Sequence, residues 1–340
     1  MPTLLITGGA GFIGSALIRR LMAAPDVRIV NIDKLTYAAH PEALASIHND
    51  PRYRLVKADI CDASALARVF ADYAPDGVMH LAAESHVDRA IAMPAPFMQT
   101  NLVGTFRLLE ASLHHWQRLA PAQQRQFRFL QVSTDEVYGS ANPERTFVEG
   151  DAYSPSSPYS ASKAGADHLA LAWYRTYGLP VLISHSTNNY GPYQHPEKLI
   201  PATLTRAIAG HPIPLFASGE NVRDWIHVDD HVNALQTIFH RGRPGEAYHV
   251  SADNPRRNID LVHRLCDLLD EQRPEQAPHR QLIHFVPDRP GHDFRYAIDA
   301  SKLRRALGWH PQIDFDAGLR ATVNWYLGRA AEQDATTTRR

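Results

Sequence analysis

Short apolar runs alternate with amphipathic stretches through the first half of the chain. Apolar runs that end at polar residues or glycines predict buried strands at Thr3–Thr7, Arg28–Ile32, Arg54–Lys57, Gly77–Leu81, Phe129–Ser133 and Val181–Ser184. Helical periodicity predicts helices between most of them, at Phe12–Met22, Ala63–Tyr73, Ala95–His115 and Tyr159–Tyr177. This alternation predicts an α/β fold with a Rossmann-type, doubly wound parallel sheet.

The alternation breaks after Asn188, where closely spaced prolines interrupt it. We therefore predict a Rossmann domain over residues 1–187, a smaller α/β lobe mainly over residues 188–330, and a frayed polar tail over residues 331–340. Further patterns predict helices at Asp229–His240, Ile259–Glu271 and Ala300–Leu307, and a strand at Ala247–Ser251. That strand would rejoin the first sheet, so a segment at about 222–251 is expected to return to the first domain.

Composition narrows the class of partner. The 340 residues carry 35 Lys and Arg against 36 Asp and Glu, so no global field favours nucleic acid or an anionic membrane. No apolar run approaches the roughly 20 residues that a membrane span needs. The two cysteines, Cys61 and Cys266, lack metal-site spacing, and no secretory pattern precedes Thr3. We therefore expect a cytoplasmic protein.

Three glycines mark the first strand-to-helix turn. Gly8, Gly11 and Gly14 follow the first strand and open the first helix, where a backbone can approach a pyrophosphate and a helix N-terminus can bind it. Asp33 ends the second strand, at the position from which a carboxylate accepts a hydrogen bond from a ribose hydroxyl and repels a 2′-phosphate. The pattern predicts that residues 1–187 bind NAD rather than NADP.

Tyr159 and Lys163 lie four residues apart on one face of a predicted helix. A neighbouring ammonium favours the phenolate and is expected to lower the pKa of Tyr159. Phenolate could then take the proton of a sugar hydroxyl while hydride leaves the same carbon. Downstream of a dinucleotide-binding turn, the pair predicts hydride transfer at an alcohol.

Thr134, Asp135 and Glu136 follow the fifth strand at its carboxyl end, where ligands bind in open parallel sheets. Oxidation of an alcohol to a ketone makes the neighbouring C–H acidic. One carboxylate could remove that proton, and a second carboxyl group, kept protonated, could donate to a departing hydroxyl. The two acidic residues therefore predict elimination of water, a step that a simple dehydrogenase does not perform.

His227 and His231 have the spacing of metal ligands on a helix, but no third ligand is apparent, so no metal site is predicted. Asp229 or Asp230 is expected instead to cap the helix start. The dense run Asp288–Arg295 suggests a diphosphate clamp, because arginine binds phosphate in a bidentate manner.

Several motifs together resemble the extended short-chain dehydrogenase/reductase superfamily and, within it, the dTDP-glucose 4,6-dehydratase family. The similarity runs from Thr7 to about Asp299. Its most specific stretches are Asp33–Tyr37, Leu81–Arg89, Val132–Gly139, Asn188–Tyr193, Pro196–Pro201, Arg223–Trp225 and Asp288–His292. The Thr-Asp-Glu string separates such dehydratases from sugar-nucleotide epimerases.

The resemblance implies a mechanism. Hydride moves from position 4 of the glucose to NAD+ while Tyr159 takes the hydroxyl proton. Glu136 removes the proton at position 5, Asp135 protonates the hydroxyl leaving position 6, and hydride returns to position 6. The implied product is the 4-keto-6-deoxy sugar, an intermediate of deoxysugar biosynthesis such as that of dTDP-rhamnose. Thr134 would bind the 4-hydroxyl, and Lys163 would hold the ribose.

The family's binding residues carry over by position. The resemblance implies NAD contacts at Gly8, Gly11, Phe12, Ile13, Gly14, Asp33, Lys34, Thr36, Asp59, Ile60, Leu81, Ala83, Thr100, Tyr159, Lys163 and Asn189. It implies contacts with the nucleotide sugar dTDP-glucose at Ser85, Thr134, Asn188, Lys198, Leu199, Pro214, Phe216, Arg223, Asn258, Asp288, Arg289 and His292. It also implies a homodimer joined through a four-helix bundle formed by Ala95–His115 and Tyr159–Tyr177.

Three alternatives stay open from the residues. The first is a dehydratase of UDP- or CDP-glucose, because no single residue fixes the nucleobase. The second is a nucleotide-sugar epimerase or decarboxylase, against which Asp135 and Glu136 argue. The third is a non-catalytic NAD-sensing scaffold, which would have no need for these acidic residues together with Tyr159 and Lys163.

Overall fold

The structure, a computed structural model, describes residues 1–337. Its strands are β1 (Thr3–Thr7), β2 (Arg28–Asp33), β3 (Tyr53–Lys57), β4 (Gly77–His80), β5 (Phe129–Thr134), β6 (Val181–Ser186), β7 (Asn188–Tyr190), β8 (Ile213–Phe216), β9 (Val222–His227), β10 (Ala247–Val250), β11 (Pro255–Arg257) and β12 (Ile283–Val286). Seven of them form one parallel sheet in the order β10-β6-β5-β4-β1-β2-β3. The predicted Rossmann-type α/β fold is confirmed.

The α-helices follow the same alternation. They are α1 (Phe12–Met22), α2 (Ala63–Tyr73), α3 (Val87–Ala92), α4 (Ala95–Phe97), α5 (Thr105–Trp116), α6 (Pro121–Gln126), α7 (Pro158–Tyr177), α8 (Leu199–Ile208), α9 (Val228–Arg241), α10 (Asn258–Gln272), α11 (Ser301–Leu307) and α12 (Phe315–Thr337). Short 3₁₀ helices lie at Pro41–Ile47, Asp135–Tyr138, Pro274–Gln276 and His279–Leu282.

Both faces of the main sheet are covered, which explains why most positions along its strands are buried. In β1, Leu4 and Ile6 pack with residues of α1 and α9, whereas Leu5 packs with residues of α2, α5 and α7 on the other face. This alternation follows from the two-residue period of a strand. The sheet thereby holds a rigid row of strand ends at one edge of the domain.

The second lobe has its own small sheets and core. A three-stranded sheet has the order β11-β9-β7, and β12 pairs with β8. Apolar residues of α8, α10 and α12 pack together beside them. Within the segment expected to return, β10 pairs with β6 in the main sheet. β9, which lies in the same predicted segment, pairs instead with β7 and β11.

Two helical predictions differ from the structure. The helix expected at Ala95–His115 contains a π-helical segment, Met98–Gly104, between α4 and α5. A Cβ at Gly104 would lie 2.6 Å from Ile60 Cδ1, so this segment packs closely against the loop after β3. The expected frayed tail is largely helical, because α12 continues to Thr337, and residues 338–340 lie outside the described part.

Within residues 1–337, no helix combines the length and the apolar character required to cross a membrane.

Candidate active site

The turn between β1 and α1 is built for close approach. Gly8 has φ +71° and its N–H donates to Ile32 O at 2.9 Å. A Cβ at Gly14 would lie 2.2 Å from Gly8 O, and a Cβ at Gly8 would lie 2.6 Å from Ala82 N. Because both contacts are with backbone, glycine is required at these positions. The turn therefore leaves the N-terminus of α1 open to a ligand phosphate.

Polar groups at the ends of β2 and β3 flank this turn. Asp33 accepts hydrogen bonds from Ala10 N at 2.9 Å and Leu35 N at 2.8 Å, which fixes its carboxylate beside the glycine turn. Lys34 Nζ lies 3.7 Å from an Asp59 carboxylate oxygen and donates to Thr100 Oγ1 at 3.3 Å. These contacts hold a polar rim suited to ribose hydroxyls.

A cavity of about 310 Å³ opens at the carboxyl ends of the main-sheet strands. All the residues predicted to bind NAD line it: Gly8, Gly11, Phe12, Ile13, Gly14, Asp33, Lys34, Thr36, Asp59, Ile60, Leu81, Ala83, Thr100, Tyr159, Lys163 and Asn189. The glycine turn, the carboxylate at the end of β2 and the apolar walls fit a dinucleotide.

The cavity also holds the acidic pair. Thr134 ends β5, and its Oγ1 accepts a hydrogen bond from Glu136 N at 3.3 Å, which starts the 3₁₀ helix Asp135–Tyr138. Asp135 is 3% exposed, and its Oδ1 accepts a hydrogen bond from Thr134 Oγ1 at 3.3 Å. Its Oδ2 is buried and has no hydrogen-bond partner among residues 1–337. Burial and then the charge of Glu136 raise the pKa of Asp135 well above its usual value. Asp135 is thus suited to hold a proton.

Glu136 has different surroundings. Burial raises its pKa, but the positive charges of Lys198, Arg223 and Arg289 act against this rise. Tyr296 OH donates to Glu136 Oε2 at 3.4 Å. Nearby cations favour a carboxylate, so Glu136 is the better candidate for a base.

The Tyr159–Lys163 pair lies at the start of α7. The helix begins with a capping box at Ser157, whose Oγ accepts from Ser160 N at 3.1 Å. Lys163 Nζ donates to Val132 O at 2.8 Å, and both members of the pair are buried.

The expectation that Lys163 lowers the pKa of Tyr159 is wrong for the protein alone. Burial, and then the charge of Glu136, raise the pKa of Tyr159. Burial also lowers the pKa of Lys163, which makes it a weaker source of positive charge. The sequence showed the spacing of the pair but not its desolvation.

The residues predicted to bind substrate fall into two groups. Ser85, Thr134, Asn188 and Lys198 line the cavity, and Lys198 Nζ donates to Ser85 O at 2.8 Å. The others lie beyond its lining, in the second lobe: Leu199, Pro214, Phe216, Arg223, Asn258, Asp288, Arg289 and His292.

Part of the outlying group is clustered. The Phe216 ring centroid lies 5.6 Å from the Arg289 guanidinium and 5.9 Å from the His292 ring. His292 Nδ1 lies 2.6 Å from Asp288 Oδ1. Arg223 is buried and donates to backbone oxygens, including Asp293 O at 2.7 Å. The guanidinium groups of Arg223 and Arg289 raise the positive potential beside Glu136.

Several cavity residues were not predicted: Ile32, Ala38, Ala39, Ala58, Ala82, Glu84, Val132, Ser133, Ser186, Thr187, Gln194, His195 and Glu197. Most of them are next to predicted residues at the ends of strands. Their position near a strand end was the feature of the sequence that could have identified them. Glu84 depends on the π-helical segment, because Asn101 accepts from Glu84 N at 2.8 Å and donates to Glu84 O at 2.9 Å. Glu197 Oε2 lies 3.0 Å from His86 Nε2.

The two histidines with metal-like spacing have other partners. His227 itself caps α9, since its Nδ1 accepts from Asp229 N at 3.2 Å, so the predicted cap by Asp229 or Asp230 is wrong. Asp230 accepts from the backbone of residues 312 and 313. His231 Nδ1 lies 2.8 Å from Asn189 Oδ1. Across residues 1–337 no group of three His, Cys, Asp or Glu residues could hold a metal.

Comparison with known proteins agrees with this site. The model of the family described as GDP-mannose 4,6 dehydratase matches residues 5–322. The dTDP-glucose 4,6-dehydratase 1 of Escherichia coli (strain K12) is 52% identical over 333 residues, covering 95% of this chain and 92% of that protein. The structure of DesIV, the dTDP-glucose 4,6-dehydratase of Streptomyces venezuelae with NAD and TYD bound, is 43% identical with a TM-score of 0.89, covering 97% of this chain and 98% of that one.

The fold alone does not separate dehydratases from epimerases. The UDP-glucose 4-epimerase of Thermus thermophilus, solved in complex with NAD, reaches a TM-score of 0.84 at 26% identity, covering 96% of this chain and 99% of that one. The relative with half of its residues identical over nearly the whole chain decides between them. The chain belongs to the dTDP-glucose 4,6-dehydratase family.

Proposed function

We propose that this protein is an NAD-dependent hydro-lyase that converts dTDP-glucose into dTDP-4-keto-6-deoxyglucose and water. The observation that carries the proposal is the meeting of Asp135, Glu136, Tyr159 and Lys163 in one cavity with the glycine turn. Family membership supports the same activity.

NAD would lie along the strand ends. The glycine turn and the N-terminus of α1 would hold its diphosphate, and Asp33 would accept hydrogen bonds from ribose hydroxyls. Lys163 would contact the second ribose from α7. When bound, NAD supplies a hydride acceptor and donor for the sugar, together with a positively charged ring.

Tyr159 would act at position 4 of the sugar. It takes the proton of the 4-hydroxyl as hydride leaves the same carbon. The positively charged ring of bound NAD, next to the phenol, would counter the burial that raises the pKa of Tyr159. Thr134, at the end of β5, would donate a hydrogen bond to the same oxygen.

Glu136 and Asp135 would then remove water from the ketone. Glu136 takes the proton at position 5, which the ketone at position 4 makes acidic. Asp135, kept protonated by its burial, donates its proton to the hydroxyl leaving position 6. The hydride taken from position 4 would then return to position 6 while a proton returns to position 5, which gives the 4-keto-6-deoxy sugar and leaves the cofactor oxidised again. An epimerase needs neither step, so the acidic pair favours a dehydratase.

Basic residues of the second lobe would bind the nucleotide. Lys198 reaches the cavity from the start of α8, and Arg289 lies beside Phe216. A guanidinium and an ammonium suit a diphosphate, and an aromatic ring suits a base. The contacts that we propose beyond the cavity lining extend from Leu199 to His292 in the second lobe.

We further propose a homodimer joined by a four-helix bundle of α5 and α7 from each copy. The ring centroids of Phe106 on α5 and Trp173 on α7 lie 5.8 Å apart. Tyr177, the last residue of α7, is 49% exposed. A partly exposed aromatic surface on two adjacent helices is typical of a covered interface.

The free thiols of Cys61 and Cys266 support a cytoplasmic location.

The test compares dTDP-, UDP- and CDP-glucose at equal concentration with the purified protein and NAD. Mass spectrometry of the products should show loss of one water, fastest from dTDP-glucose. Faster conversion of UDP- or CDP-glucose would change the proposed substrate. An epimer without water loss, or no conversion of any of the three, would overturn the proposal.

A further inference from the structure

A buried carboxylate lies beneath the Tyr159–Lys163 pair. Asp167 is one helical turn beyond Lys163 on α7 and is fully buried. Its Oδ2 accepts a hydrogen bond from Ser133 Oγ at 2.6 Å and lies 3.1 Å from His185 Nε2. Its Oδ1 is buried and has no hydrogen-bond partner within the described part of the chain. Since Ser133 lies in β5, Asp167 joins the helix of the pair to the strand that leads into the acidic residues.

We propose that Asp167 is a positioning residue that holds Lys163 as an ammonium and fixes α7 against β5. The proposal rests on the proposed dehydratase function, in which Lys163 holds the cofactor ribose and favours the phenolate of Tyr159. Asp167 would touch neither substrate nor cofactor and would act only through Lys163 and Ser133.

The electrostatics of Lys163 agree with this geometry. Lys163 is 5% exposed, and its only hydrogen bond among the described residues is to the neutral Val132 O. Burial lowers the pKa of Lys163, and the negative charge of Asp167 raises it again. A buried ammonium with no nearby anion would readily lose its proton.

The remaining titratable groups around the pair do not replace this charge. His80 on β4 is buried, and its pKa falls to about 3, so it stays neutral beside Lys163. Tyr159 on α7 and Tyr153 before that helix both have raised pKa values, so their phenols are protonated in the protein alone. His185 on β6 lies between Tyr153 and Asp167. Asp167, four residues from Lys163 on α7, is therefore the carboxylate whose charge acts on Lys163.

Hydrogen-bonding side chains surround the Asp167 carboxylate, and its hydrogen-bond partners among the described residues include neither a lysine nor an arginine. Ser133 donates to Asp167, and Tyr153 OH lies 2.9 Å from His185 Nε2. Behind them, His249 Nε2 lies 2.8 Å from Tyr138 OH, and burial raises the pKa of that tyrosine. The neutral Ser133 hydroxyl stabilises the buried carboxylate of Asp167 without cancelling the field that the carboxylate exerts on Lys163.

The first test is the pH profile of Asp167→Asn for dTDP-glucose conversion. Without the anion, Lys163 should lose its proton at lower pH, so the alkaline limb of kcat should move down by about one pH unit or more. Asp230→Asn is the matched control, because Asp230 is also a buried helical carboxylate but bonds the backbone of residues 312 and 313. Its alkaline limb should not move.

The second test needs no activity. A buried lysine with a lowered pKa costs stability while it carries its proton, and this cost fades as pH rises through that pKa. Removing Asp167 increases the cost, so Asp167→Asn should lose most stability near pH 7 and less near pH 10. Asp230→Asn should lose stability by an amount that does not follow this trend. Asp167→Ser repeats both measurements if the amide variant does not fold.

The double variant Asp167→Asn with Lys163→Arg completes the design. An arginine keeps its charge at all accessible pH values. The kcat of the double variant should therefore fall at a higher pH than the kcat of Asp167→Asn. An unmoved limb together with a pH-independent loss of stability would show a purely structural role and overturn the proposal. Failure of the proposed function would appear separately, as wild-type protein that does not convert dTDP-glucose while the unfolding test still reports on Asp167.

Discussion

At the scale of single residues, two neighbouring carboxyl groups in one short helix have different surroundings. Asp135 is buried, and one of its oxygens has no hydrogen-bond partner among the residues that the structure describes. Glu136 instead experiences the positive charges of Lys198, Arg223 and Arg289. Pairs of acidic groups whose environments differ in this way can serve as acid and base in the same reaction. In the proposed reaction, the acidic pair is therefore what adds the loss of water to the oxidation of an alcohol.

Glu136→Gln tests the base. An amide cannot take the proton at position 5, so water loss should fall about 10²-fold or more while the ketone at position 4 still forms. Rapid quenching and mass spectrometry would follow the keto sugar that has not lost water. Glu144→Gln, on an exposed loop, should behave as wild type. Normal dehydration by Glu136→Gln would remove our role for this residue.

Asp135→Asn tests the proton donor through stability. A carboxyl whose pKa is higher in the folded state than its unfolded value of about 3.9 costs stability once pH exceeds that value. The variant lacks this cost, so its unfolding temperature should rise at pH 7 by roughly 1–3 °C. The gain should vanish toward pH 4, as calorimetry would show, and dehydration should fall about 10²-fold. A lower unfolding temperature at pH 7 would contradict the raised pKa.

The sequence predicted which residues meet at the site better than it predicted their chemistry. Strand ends and the family resemblance place Thr134, Tyr159 and Lys163 in one cavity, where the structure has them. The direction of the pKa shift of Tyr159 was wrong, because burial depends on segments far away in the chain. His227 was also missed as a helix cap, since its side chain reaches the backbone only in the folded turn.

At the scale of elements, the glycine turn between β1 and α1 leaves no room for a side chain at Gly8 or Gly14. Gly14→Ala would place a methyl group 2.2 Å from Gly8 O and 2.7 Å from Gly9 Cα, which only a shift of the turn can relieve. NAD affinity should fall about tenfold or more, or about 1.4 kcal/mol, in a calorimetric titration.

Gly328→Ala, in α12, is the matched control, because a Cβ there would meet no neighbouring atom of the described residues within 4 Å. It should bind NAD as wild type does. Equal NAD affinity in Gly14→Ala and Gly328→Ala would show that the turn tolerates a side chain and does not approach the cofactor closely.

Regular elements were predictable and irregular ones were not. Apolar runs indicated the strands of the main sheet to within one or two residues at most ends. The π-helical segment Met98–Gly104 has the same apolar periodicity as the helix around it, so only packing against Ile60 reveals it. α8 was missed because Pro201 suggested a break, although proline is tolerated in the first turn of a helix.

At the scale of the whole molecule, the two lobes contribute different groups to the site. The main sheet supplies the acidic pair and the glycine turn, and the second lobe brings Lys198, Arg223 and Arg289 toward the same cavity. Binding of the nucleotide by the second lobe would hold the sugar against the strand ends, where a fixed orientation lowers the barrier to reaction.

The proposed dimer makes a prediction at the same scale. Trp173→Glu puts a charge into the aromatic surface of α5 and α7, so the protein should sediment as a monomer in analytical ultracentrifugation. Asn324→Glu, at an exposed position of α12, should leave the wild-type sedimentation coefficient unchanged. A Trp173→Glu variant that sediments as wild type would exclude this surface as the interface.

The central claim is that one hydride leaves position 4 of the sugar and returns to position 6 within a single active site. The most direct measurement uses dTDP-glucose deuterated at position 4, with NAD and no added oxidant, and locates the label in the product by NMR. The account predicts a 4-keto-6-deoxy sugar with deuterium at position 6. Deuterium that stays at position 4, or turnover that needs a stoichiometric external oxidant, would contradict it.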